Sequence, residues 1–167
     1  MLDSSSVNQK AQASAPSARA WRKDSFFFLI ALAVLGLDQL SKYLVRATLS
    51  QGESVPDGWP VRFTYVTNSG GAFGFFSNQT FLLTVAAVVA VAIILLYYRY
   101  ALFQGVLLRT CLGLQLGGAA GNLFDRLRFG QVTDFIDVQV WPVFNLADSA
   151  IVVGVVLLAY AVVEGNR

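Results

Sequence analysis

The chain has 167 residues, 56% of them hydrophobic and 13% charged, a balance too apolar for a soluble domain of this length and one that belongs in a membrane. Its formal net charge of +2 is scattered without any block of like charges, which argues against a nucleic-acid partner. The absence of histidine excludes Ser/His/Asp and Cys/His catalysis and His-built zinc sites, while the single cysteine, Cys111, excludes an internal disulfide and reads as packing in an apolar segment.

Residues 1–24 open with a Ser/Ala/Gln-rich stretch lacking apolar periodicity and are expected to form a disordered cytoplasmic tail. Residues 25–164 are expected to form a single membrane domain. A first span is predicted over about 26–45, behind Arg19, Arg22 and Lys23. Ala31-Leu32-Ala33 mimics a signal-peptide cleavage site, but the apolar run continues past it. Gly52, Pro56, Gly58 and Pro60 then mark a loop, and the alternation from Val61 to Val66 predicts a small β-like element at the membrane surface.

A second span is predicted over 81–98, free of charge, with Tyr97 and Tyr98 suited to an interfacial belt. The third, about 107–124, carries Gly113, Gly117 and Gly121 at four-residue spacing, a face that admits a close neighbour. A longer connection, 127–142, leads to the fourth, 144–163. The expected fold is thus an all-α membrane protein of four transmembrane helices, with a small extracytoplasmic β-like element between helices 1 and 2.

Four spans impose a parity. The end of span one, the first long loop, the end of span three and the start of span four share one side, and that side collects the polar residues. It holds Asp38 and Lys42 in "DQLSK", Asn68 in "TNSGGAF", Asn122, Asp125 and Arg126 in "GNLFDR", Asp134 in "VTDF", and Asn145 and Asp148 in "FNLADS". The other side, with Arg99 and Arg109, is mainly basic and therefore expected to be cytoplasmic, together with both termini.

An aspartate deep in a spanning helix costs about 2.5–3.5 kcal/mol on insertion scales, so each needs a partner or a purpose. Asp38 and Lys42 form an i,i+4 pair with the acid leading, and Arg126 is expected to pair with Asp125 or Asp38. Asn122 and Asn145 suit either interhelical hydrogen bonding or the orienting of a carboxylate. Asp148, near a helix start, gains only about 0.3–1 kcal/mol from the dipole, and Asp134 has no evident partner. Two carboxylates in a poorly hydrated site can share a proton, one acting as base toward water while the other polarises a carbonyl. Carboxylates of a proton- or ion-coupled transporter are the rival reading, although these cluster at one face instead of lining a path. A Ser/Lys peptidase using Lys42 with Ser41 or Ser149, and a non-enzymatic assembly factor, are further alternatives.

In this order, "DQLSK", "TNSGGAF", "GGAAGNLFDR", "VTDF" and "FNLADS" resemble the bacterial lipoprotein signal peptidase (signal peptidase II) family over about residues 26–163. The resemblance implies an inner-membrane aspartic endopeptidase without metal or cofactor. Its substrates are prolipoproteins, cut just before a cysteine that already carries diacylglycerol. The family's catalytic aspartates fall on Asp134 and Asp148, and its supporting positions on Asp38, Lys42, Asn68, Gly70, Asn122, Arg126 and Asn145. Membrane lipids are the other expected partners, and a monomer is the expected state. Gly71 stands where the family commonly has alanine, which loosens that loop without removing a polar group.

Overall fold

The computed structural model describes residues 18–69, 80–100 and 105–165, with side chains from 25 to 164. Residues 1–17 of the expected tail, and Gly70 and Gly71, lie outside the described residues. The elements are helix α1 (Ala18–Thr48), strands β1 (Ser54–Val55) and β2 (Arg62–Asn68), helix α2 (Thr80–Tyr100), helix α3 (Val106–Phe129), strand β3 (Val132–Asp137) and helix α4 (Leu146–Gly165). Residues 18–24 are thus helical, which corrects the expected boundary of the tail. Alanine, arginine and lysine are good helix formers and carry α1 back beyond its apolar run.

Among the described residues three helices, α1, α2 and α4, are long and apolar enough to cross a membrane. Their large apolar side chains face outward: Leu29, Leu32, Phe81, Ile93, Val152 and Val156 are all exposed. The interior is correspondingly polar. Among the largest fully buried side chains are Asp38, Lys42, Asp125 and Asn145, the reverse of a soluble protein's core and the pattern expected where the surrounding solvent is lipid.

Helix α3 is the central element and packs against α4, α1 and α2. Its glycines decide how closely. A Cβ at Gly117 would stand 2.6 Å from the Ala31 carbonyl oxygen and 2.7 Å from Val34 Cβ on α1, and one at Gly113 2.9 Å from Ile30. On its other side Gly118 meets the backbone of Ala147 on α4. The small residues therefore pack helices. Toward the other end a conventional apolar cluster of Phe27, Ala31, Leu112 and Leu116 joins α1, α3 and α2. Tyr98, near the end of α2, stacks on Phe27 of α1, centroids 3.9 Å apart.

The sheet enlarges the expected β-like element and corrects an all-α description. Its order is β1-β2-β3, antiparallel throughout. The third strand comes from the connection between α3 and α4, expected as a loop; "VTDFID" is rich in β-branched and aromatic residues and finds a partner in β2. Gly130, with φ 75°, makes the turn possible: in the left-handed region that glycine adopts freely, it ends α3 by donating its N–H to the Arg126 carbonyl. Two residues later the chain is already in β3. The strand then bonds to the segment before α4, where Phe135 N and Ile136 N both donate to the Phe144 carbonyl, at 2.9 and 2.7 Å.

The close helix contact predicts that Gly117→Ala lowers the thermal unfolding temperature in detergent, by overpacking of about 1–3 kcal/mol. Gly36→Ala, on the same α1–α3 pair but with nothing within 4 Å of the added Cβ, should leave it unchanged or raise it.

Candidate active site

Helix α4 begins with a reciprocal cap. Asn145 is its N-cap and Asp148 its third residue: Asp148 N donates to Asn145 Oδ1 at 2.9 Å, and Asn145 N donates to Asp148 Oδ2 at 3.3 Å. This is the capping-box pattern built from Asn and Asp. It accounts for an acid in the first turn and fixes the direction of its carboxyl. The other Asp148 oxygen, Oδ1, accepts from Asn122 Nδ2 on α3 at 2.7 Å.

Asp134 is supplied by β3. Its Oδ1 accepts from Asn145 Nδ2 at 2.6 Å and its Oδ2 from Asn68 Nδ2 on β2 at 2.9 Å. Asn145 therefore spans the two aspartates, donating its side-chain amide to one and exchanging backbone-assisted bonds with the other. The same Nδ2 also donates to Asn122 Oδ1 at 3.1 Å, so both asparagines orient carboxylates and link helices at once.

Asp134 and Asp148 line one cavity of ≈ 210 Å³, together with Asn68, Asn122, Arg126 and the apolar wall Trp141–Phe144. Burial pushes the Asp134 carboxyl up to about 6, with the neighbouring charge of Asp148 acting in the same direction, against the hydrogen bonds from Asn68 and Asn145 and the charge of Lys42. Arg126 corrects an expectation. It pairs with neither Asp125 nor Asp38, both of which are taken by Lys42; its guanidinium lines the cavity, donating to the Asn122 carbonyl at 3.5 Å. The charges acting on it, strongest first, are those of Asp148, Asp134 and Asp125.

Below the cavity lies the ion cluster. Lys42 Nζ stands 2.9 Å from Asp38 Oδ2, 3.2 Å from Asp125 Oδ2 and 2.9 Å from Asn122 Oδ1, so its three donors meet three acceptors with no exposure to solvent. The i,i+4 pair read in "DQLSK" is therefore one edge of a larger cluster. Sequence reasoning passed over Gln39, whose Nε2 donates to Asp38 Oδ2 and Asp125 Oδ1, both at 3.1 Å, and it gave Asp125 the wrong partner. It also passed over the Trp141–Phe144 wall, whose only signal was that it leads into "FNLADS" and ends on its phenylalanine. Of the residues named from sequence, Asp38, Lys42, Asn68, Asn122, Arg126, Asp134, Asn145 and Asp148 come together at this end of the bundle. Gly70 falls outside the described residues. Among the described residues no group of acids and thiols is arranged to hold a metal ion.

Comparison with known proteins relates the chain to one family. A family model described as signal peptidase (SPase) II matches residues 30–164. The lipoprotein signal peptidase of Moorella thermoacetica is 52% identical over 135 residues, covering 80% of this chain and 90% of that protein. That of Pelotomaculum thermopropionicum is 45% identical over 142 residues, covering 84% and 93%. A solved structure described as a bacterial membrane enzyme superposes with a TM-score of 0.77 at 28% identity, covering 84% of this chain and 89% of that one.

The raised Asp134 carboxyl has a consequence for stability. A group that binds its proton more tightly folded, at about 6, than unfolded, near 3.8, adds stability below pH 4 and loses it as pH rises through 6. Asp134→Asn, a mimic of the protonated form, should therefore gain on the parent between pH 4 and pH 7, by at most about 3 kcal/mol. Unfolding followed at both pH values checks this, and a difference that does not change with pH contradicts it.

Proposed function

The chain belongs to the signal peptidase II family, and on that premise we propose that it is an aspartic peptidase in which Asp134 and Asp148 are the reacting pair. Its reaction is the removal of signal peptides from prolipoproteins, the activity of the lipoprotein signal peptidases it resembles. The observation that carries the aspartic reading is that both carboxyls line one cavity and are joined through Asn145.

Asp134, whose carboxyl burial pushes up, holds the proton and donates it to the carbonyl oxygen of the scissile bond. Asp148, held by the Asn122 amide and the Asn145 N–H, removes a proton from water as that water attacks the carbonyl carbon. Collapse of the tetrahedral intermediate breaks the C–N bond, Asp148 passes its proton to the leaving amine, and the carbonyl re-forms as its proton returns to Asp134. Arg126, on the cavity wall, supplies positive charge beside the negative pair and the polarised substrate.

The substrate is a membrane-embedded signal peptide, cut before a cysteine bearing diacylglycerol. A cavity at one end of an apolar bundle suits it, since the lipid chains can lie along the exposed faces of the helices while the peptide reaches the sheet. We further infer that α3 is a fourth crossing. At 24 residues it is about 36 Å long, and its Asn122 and Asp125 side chains turn inward toward α1 and α4, where lipid does not meet them. With four crossings both termini lie in the cytoplasm, Arg99 and Arg109 mark the inner face, and the sheet and cavity face outward from the bacterial inner membrane. The protein acts as a monomer with no cofactor. A coupled transporter finds less support, because the carboxylates gather at one end of the bundle.

Asp134→Asn and Asp148→Asn should each lower cleavage of a lipidated preprolipoprotein in proteoliposomes by at least roughly 10²–10⁴-fold while the protein stays folded and inserted. Near-parental activity in either folded variant would falsify the paired mechanism. Cleavage should also be indifferent to chelators and to an imposed ion gradient, which a coupled transporter would not be.

A further inference from the structure

Two backbone N–H groups beneath the cavity are held by carboxylates that do not line it. Ala147 N donates to Asp38 Oδ1 at 2.9 Å, and Thr133 N donates to Asp125 Oδ2 at 3.0 Å. Each donor stands one residue before a member of the pair: Ala147 before Asp148, Thr133 before Asp134. The two acceptors are themselves joined, by Lys42 Nζ and by Gln39 Nε2. Arg46 adds a second hold on the same strand, its Nη1 donating to Thr133 Oγ1 at 2.8 Å.

We propose that Asp38 and Asp125, tied together by Lys42 and Gln39, set the separation of Asp134 from Asp148 by gripping the backbone next to each, so that Asp125 and Gln39 are positioning residues for cleavage. The proposal rests on reading Asp134 and Asp148 as the reacting pair. The two aspartates ride on different elements, β3 and α4, and the chain between them runs through the exposed Val140 and Trp141. Bonds from Phe135 N and Ile136 N to the Phe144 carbonyl hold the ends of that loop from one side. The tie holds the two backbones from beneath, through short, charge-assisted bonds whose Asp38, Lys42 and Asp125 are closed off from water. Ala147 N is also one of the first donors of α4, which no residue of its own helix can satisfy; Asp38 on α1 does so instead. The start of α4 is thereby indexed to α1, and the start of β3 to α3. Proton sharing and water activation need the two carboxyls within a narrow range of separation, and a displacement of about 1 Å can reduce rate on the order of 10²-fold. A buried ion cluster adds little stability over well-packed apolar side chains, so its distinctive contribution here is geometry.

The test measures kcat, KM, the pH profile and unfolding of the full chain in proteoliposomes with a lipidated preprolipoprotein. Asp125→Ala should lower kcat by about 30-fold or more, with KM changing less than about threefold. Asp125→Asn, which keeps an acceptor for Thr133 N–H, should recover at least about tenfold of that loss. Gln39→Leu leaves the ion pairs in place; it should lower kcat by about fivefold and move the alkaline limb of the profile, which follows loss of the Asp134 proton, to lower pH, as the charge of Asp148 acts less on Asp134. Leu112→Ala, destabilised in the apolar cluster at the other end of the bundle, should keep the parental kcat. Parental kcat in a folded Asp125→Ala, or Asn no better than Ala, overturns the proposal. If Asp125→Ala does not fold, an unchanged rate and profile in Gln39→Leu overturns it instead. Either result leaves the aspartate pair standing, whereas activity retained in Asp134→Asn or Asp148→Asn removes the pair itself.

Discussion

A charge placed inside a lipid-facing bundle must find its counter-charge within the protein, and Lys42 finds two. Its ammonium, closed off from solvent, holds Asp38 from its own helix and Asp125 from α3, with Asn122 taking the third donor. Breaking such a cluster strands an uncompensated charge at a cost of roughly 3–5 kcal/mol. The packing around it obeys the same demand. Gly121 leaves α3 no side chain where the Asp38 carboxyl presses against it, and Gly117 and Gly118 bring α1 and α4 close enough for short polar contacts to form.

From that cluster the polar network rises to the cavity in two steps. Asn122 passes from Lys42 to Asp148, and Asn145 passes from Asn122 to Asp134. Each asparagine has one acceptor and two donor hydrogens, and the connections described use both kinds in each. A carboxyl pair held this way keeps its direction without fixed positive charge directly upon it, and burial is left as the main influence on Asp134. The structural need to satisfy buried polar groups and the chemical need for a proton-holding acid are met by the same side chains.

The sheet contributes the part that helices cannot. A strand offers side chains to both faces and N–H groups along its edges, so β3 presents Asp134 to the cavity while Thr133 N reaches down to Asp125 and Phe135 N reaches across to Phe144. Further along, Asp137 accepts from Arg62 at 3.1 Å and from Thr64 at 2.8 Å, locking β3 to β2. Strand β2 returns the support through Asn68.

Much of this was legible in the chain itself. Long apolar runs located α1, α2 and α4 because a helix in lipid must be apolar along its length, and the glycine spacing in α3 announced close packing because only small residues allow it. Clustering of carboxylates and asparagines at one end followed from parity, and lack of histidine narrowed the chemistry. Pairing of distant residues was not legible. Asp125 looked like a partner for the adjacent Arg126, yet its carboxyl goes to a lysine 83 positions earlier. "VTDFID" looked like loop because a six-residue strand has no meaning until β2 lies beside it. Local pattern and composition determined which residues must avoid lipid; only the tertiary structure decided which of them meet, because burial selects partners by proximity in space and a sequence records proximity along the chain.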